Sequence, residues 1–184
     1  EWIEDLEQRK NKLKDLAAQD TQQKEIVVEQ KEKVSASKVA LKKEVDQILK
    51  NRAQKKAEEI FEEQISGKVK KDSKISEEEI KTLIARASKG ELEVDELKEV
   101  LINNLGISEE EVEKIISEAK SNGEDVKKVL LAKVLEETTT LSEEEVKQVV
   151  EKVQEVASET TELLSKIGNA CLLYTSDAAD EQLS

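Results

Sequence analysis

Histidine, proline and methionine are missing from this chain, and aromatic side chains make up only 2% of it. Each gap excludes something. Without histidine there is no side chain that titrates near neutrality unaided, and the commonest ligand of zinc and related metals is absent. Without proline, nothing of that kind interrupts a long helix. The five glycines form no glycine-rich phosphate loop. No apolar run approaches the ~20 residues of a membrane span, and no basic-then-apolar leader is visible. The one cysteine and the one tyrosine both fall in residues 171–181, a stretch set aside below, so neither supports a redox or catalytic role. Acid–base chemistry is left to carboxylates and lysines, and these fall at the helical spacings of a charged surface. No catalytic, cofactor or metal residue is therefore assigned, and no small-molecule substrate is expected.

What is present is charge and aliphatic residues. Charged side chains make up 40% of the 184 residues, and high Glu, Lys, Leu, Val and Ala without proline is the composition of long helices and coiled coils. The net charge of −13 is unevenly placed. Residues 1–74 hold 18 Lys/Arg against 16 Asp/Glu, whereas residues 75–170 hold 12 against 24. So acidic a module repels nucleic acid and anionic membranes, which leaves neutral or basic protein surfaces as partners.

One pattern organises the second half. It reads Ile75-Ser76-Glu77-Glu78-Glu79-Ile80, then Ile107-Ser108-Glu109-Glu110-Glu111-Val112, then Leu141-Ser142-Glu143-Glu144-Glu145-Val146. Each copy is a complete helix start, with a serine N-cap, a returning glutamate and a flanking hydrophobic staple. The starts are 32 and then 34 residues apart, a period typical of stacked helical hairpins. Turns are expected at Ser88-Lys89-Gly90, Gly106, Ser121-Asn122-Gly123 and Thr138-Thr139-Thr140. Residues 75–167 should thus form an acidic module of about five helices, with a core from Ile80, Ile84, Leu97, Leu101, Leu130, Val149 and their neighbours.

Residues 1–66 read as one long helix. Leu6, Leu13, Val27, Val34, Leu41 and Ile48 stand on a strict seven-residue spacing, with Asp20 in the one gap. That spacing makes a seam that turns with a supercoil and meets a partner helix. The companion column is weaker: Arg9, Leu16, Gln23, Gln30, Ser37 and Glu44. After Ile48 the register shifts to Leu49, Ala53, Ala57, Ile60 and Phe61. A helix of ~60 residues extends about 90 Å, beyond the reach of a five-helix module, so the seam is expected to meet a second copy or a different chain. Its contact residues are Trp2, Leu6, Leu13, Leu16, Val27, Val34, Leu41 and Ile48. Residues 67–74, with a glycine, two serines or more nearby and a basic cluster, read as a solvated linker and not as an anion-docking patch.

Two resemblances complete the reading. Helix, short glycine turn and helix, repeated after some 33 residues, resembles an EF-hand pair. With Gly90 at loop position six, Leu92 and Glu96 stand where that family has its apolar residue and bidentate glutamate. Positions one, three and five are then Ala85, Ala87 and Lys89, and the second turn has Val129 at position twelve, so the resemblance implies a hand without calcium. The tetratricopeptide repeat has a similar period but requires aromatics and a proline that this chain lacks. The stretch Cys171–Glu181, read back into codons, is similar to read-through of a transposon-type sequencing adapter. Residues 168–184 are accordingly expected to be a non-native tail, and the chain, which also opens without methionine in mid-helix, a fragment. The expectation is an all-α, non-enzymatic structural or scaffolding protein: a coiled-coil arm for association, and an acidic helical module as a protein-docking surface. The alternative is a regulatory, calcium-free helical module that grips a target helix. Cellular location is left open, with the cytoplasm favoured.

Overall fold

The computed structural model describes the backbone of residues 2–180 and the side chains of residues 2–169. It contains α1 (Trp2–Gln64), α2 (Glu77–Ser88), α3 (Val94–Glu99), α4 (Glu109–Ser121), α5 (Val126–Thr138) and α6 (Glu143–Asp180). The expected long N-terminal helix and five-helix bundle are both there. The chain divides into two compact units, one ending at Val45 and one beginning at Asp46. The division therefore falls inside α1, not after residue 66. Its cause is the register shift beyond Ile48: Ala53, Ala57, Ile60 and Phe61 are all buried. The heptad column of the seam continues there as Lys55 and Glu62, both exposed. The new register is a face turned to a core.

In the second unit, local chemistry sets the ends of the helices. Ser76 and Glu79 form a complete capping box at the start of α2. Ser142 and Glu145 do the same at α6, with Ser142 N donating to Glu145 Oε2 at 2.8 Å and Glu145 N to Ser142 Oγ at 3.3 Å. At α4 only the forward bond forms, Glu111 N to Ser108 Oγ. The helix α2 closes on Gly90 at φ +72°, with Glu91 N bonded to Arg86 O and Gly90 N to Ala87 O. The helix α4 closes identically on Gly123 at φ +70°. This paired bonding is the Schellman stop, which needs a left-handed residue and so favours glycine.

The core is aliphatic. Ile80 and Ile84 of α2, Leu97 of α3, Val112 of α4, Leu130, Val134 and Leu135 of α5 and Val149 of α6 are all fully buried. After α3 the helix widens into one π-helical turn, Val100–Asn104, with Leu105 N bonded to Val100 O. Leu101 is fully buried in that turn.

The segment 67–74 is not a free linker. Val69 and Thr139 form an antiparallel bridge, with Lys70 N donating to Thr138 O at 2.9 Å and Thr140 N to Lys68 O at 2.8 Å. Lys70 Nζ adds bonds to the carbonyls of Glu136 and Glu137. Ile65 and Ile75, at either end of the segment, are buried and anchor it. Thr138 and Thr139 are buried too, their hydroxyls satisfied by Val134 O and Leu135 O. Within the basic cluster, Lys70 thus ties carbonyls at the end of α5, and Lys68 pairs with Glu145 of α6. The backbone of residues 168–180 continues α6, and the reading of Cys171–Glu181 as non-native concerns residues that are outside the described side chains and, at Glu181, the described backbone.

Candidate functional site

The first unit, through Val45, is a single helix with no core of its own. Every residue from Trp2 to Ser37 is exposed. The expected contact residues share that state: Trp2 is 78% exposed, Leu13 67%, and even the least exposed, Val27, 44%. Leu6, Leu16, Val34, Leu41 and Ile48 lie between those limits. Isolated exposed leucines are ordinary, whereas a row of them at one spacing is a surface suited to a partner. On a straight helix a seven-residue column drifts by about 20° per heptad, so only a partner that supercoils with α1 stays in register along it. Asp20, the polar gap in the column, is paired with Lys24 at 2.7 Å. Thus its charge is partly offset within the helix itself.

In the second unit, one hollow lies between the α2–α3 turn, the start of α5 and the middle of α6. It has a volume of about 910 Å³ and is lined by Leu92, Val94, Leu97, Leu131, Val150 and Val153, among others. Two of the charged groups that line it are engaged. Asp125 caps α5 by accepting from Lys127 N at 2.9 Å, and Lys127 Nζ pairs with Glu93 at 3.4 Å. Another depression, of about 890 Å³, runs over α4, α5 and α6 and includes Glu111, Glu118, Glu136 and Glu143. Leu92 and Leu131 were not foreseen as part of any surface. Leu131 stands beside Leu130 at a spacing that puts apolar residues on both sides of α5, a sign of a helix packed on more than one face.

The titratable groups show what this unit does with charge. Lys56 bonds Glu159 at 2.7 Å and holds its carboxyl below the ordinary value. The amide of Ser142, then Lys68, lowers Glu145. Lys98 and Glu113 form a hydrogen-bonded pair that raises the amine and lowers the carboxyl. Glu91 raises Lys50 and Glu137 raises Lys133, each through a side-chain hydrogen bond. Every one of these shifts moves a group away from neutrality. A general acid or base at pH 7 requires the reverse, a carboxyl pushed up or an amine pushed down.

Glu96 settles the fate of the calcium-loop position. Both of its oxygens accept from Arg86 Nη2, at 2.8 and 2.9 Å, and one also accepts from the amide of Glu93 at 3.0 Å. The arginine lowers its pKa first, the amide second. Ala85 and Ala87 are within α2, so the positions that open a calcium loop are helical here. This turn is a helix stop followed by a cap. Among the described residues no cluster of three or more Cys, Asp or Glu is placed to hold a metal, and no helix is long and apolar enough to cross a membrane. Comparison with known proteins gives no match to a family model, to a curated protein or to a solved structure.

Proposed function

We propose that this is a non-enzymatic structural or scaffolding protein that associates with protein partners by a coiled coil along α1, while its acidic helical unit offers a docking surface. The observation that carries this reading is the exposure, 44% or more, of all eight apolar residues of the seam. Burying them against a partner helix gives about 1.5 kcal/mol or more for each large side chain, before the cost of association. The arrangement of charged groups supports the non-enzymatic part, since each resolved shift strengthens an ion pair or a cap. The direct test is sedimentation equilibrium of the full chain, alone and with a synthetic helix of Ile and Leu at its seam and Gln at its borders. A complex is expected, and Leu13→Asp with Val34→Asp should abolish it. A chain that stays monomeric and ignores the peptide at high micromolar concentration would refute the reading.

The 910 Å³ hollow favours a second reading, a regulatory unit that takes an apolar target helix. Ala157→Trp would fill that hollow from α6. It should leave any seam complex intact while blocking a ligand of the hollow, so the two readings separate in one titration.

A further inference from the structure

We infer that the occupant of the α1 seam is an α-helix of a different protein, one whose apolar stripe is bordered by glutamate or aspartate. The inference rests on the coiled-coil reading and concerns which partner the seam selects. With the column of Leu6, Leu13 and Val27 as one half of the seam and that of Trp2 and Leu16 as the other, two further columns border it. One carries Lys10, Lys24, Lys31 and Lys38, the other Lys12 and Lys33, and the single acid between them is Asp5. Of the other acids, Glu4, Glu7, Asp15, Glu25, Glu29 and Glu32 occupy the three outer columns, together with Lys14, Lys42 and Lys43, while Asp20 and Glu44 stand in the seam itself. Residues 1–45 hold ten Lys/Arg and ten Asp/Glu, so this segregation is not a by-product of net charge. It is a basic border on an electrically neutral helix.

That border is largely available. Lys24 and Lys33 make i,i+4 pairs with Asp20 and Glu29, both well exposed. Lys10, Lys12, Lys31 and Lys38 pair with no carboxylate among the described residues. A second copy would bring six more lysines to the same borders. In a parallel pair Lys33 would face Lys38 of the copy while Asp5 would face its Lys10, so the borders add no net attraction, and an antiparallel pair would set lysine border against lysine border. An acidic border converts these positions into attractive pairs, and border charges are what set partner choice in coiled coils.

The test titrates the full chain by calorimetry, at physiological ionic strength, with two synthetic helices of identical Ile/Leu seam. One has Glu at its border positions and the other Lys. The expected result is a one-to-one complex with the Glu helix and binding weaker by on the order of tenfold or more with the Lys helix, from several border pairs each contributing modestly. The quadruple variant Lys10→Glu, Lys24→Glu, Lys31→Glu, Lys38→Glu changes three exposed positions and one half-buried one, Lys38, and should invert the preference. Equal affinity for both helices, or a self-dimer that outcompetes the Glu helix, would overturn this inference and leave the coiled-coil reading standing. Binding of neither helix by a monomeric chain would overturn both.

Discussion

Replacing Phe61 by Ala tests where the folded body of this protein begins. Phe61 is near the end of α1 and is 3% exposed, the one phenylalanine in a core otherwise built of aliphatic side chains. Its truncation removes the transfer energy of the ring and leaves a cavity, about 3–5 kcal/mol for a buried phenylalanine. The amine of Lys81, 5.7 Å from the ring centroid, adds no more than ~1 kcal/mol of cation–π attraction. Calorimetric unfolding of the full chain should show the melting temperature of the cooperative transition falling by roughly 10 °C or more, given about 3–4 °C per kcal/mol for a unit of this size. Val34, on the same helix but 54% exposed, is the control. In dilute solution its change to Ala should cost under about 0.5 kcal/mol. A Phe61→Ala loss below ~1 kcal/mol, or equal losses at the two positions, would mean that the last turns of α1 do not belong to the core.

Other outcomes follow from the caps, turns and ion pairs. Ser76→Ala should cost about 1 kcal/mol in urea unfolding and more than Ser108→Ala, because the capping box is complete at Ser76 and half-formed at Ser108; equal costs would contradict the geometry. Gly90→Ala and Gly123→Ala should each cost about 1–2 kcal/mol and by similar amounts, since both sit near φ +70° and neither meets a close atom at the added Cβ. Glu96 has its folded pKa lowered by Arg86, so its stabilisation is present above the ordinary 4.5 and drains as pH falls through the depressed folded value. The melting-temperature gap between wild type and Glu96→Gln should therefore be open at pH 6 and close toward pH 3. A gap that widens on acidification would reverse the assignment.

Local signals were readable from residues alone. The serine starts at Ser76, Ser108 and Ser142 and the glycine stops at Gly90 and Gly123 are short-range hydrogen-bond chemistry, and the helices begin and end where that chemistry directs. Long-range facts were not. Nothing in Ser66–Lys74 announces a partner 70 residues on, because a single bridge between Val69 and Thr139 leaves no periodic trace. The division of α1 at Val45 was half visible: the shift to Ala53, Ala57, Ile60 and Phe61 could be seen, but periodicity does not say what covers a face. The π turn at Val100–Asn104 is one residue of extra winding and lies below the resolution of any apolar pattern. For the candidate seam, the heptad column was legible, and the lysine border becomes meaningful once the helix is known to stay exposed.

The bridge between Val69 and Thr139 has a topological consequence. It brings together the two ends of an excursion of about 70 residues, so that α2 to α5 leave the main path and return at the same point. Closing a loop of that length costs roughly 4 kcal/mol of chain entropy, more than two backbone hydrogen bonds return. The buried Ile65, Ile75 and Leu141 at its base, together with the packing of α2 and α5 on α6, supply the difference. With its entry and exit joined, the excursion is held twice, at the bridge and along α6, on which both α2 and α5 pack. Its hairpins share one core with the end of α1 and with α6, so a change of length or sequence within them is felt along the whole path from α1 into α6.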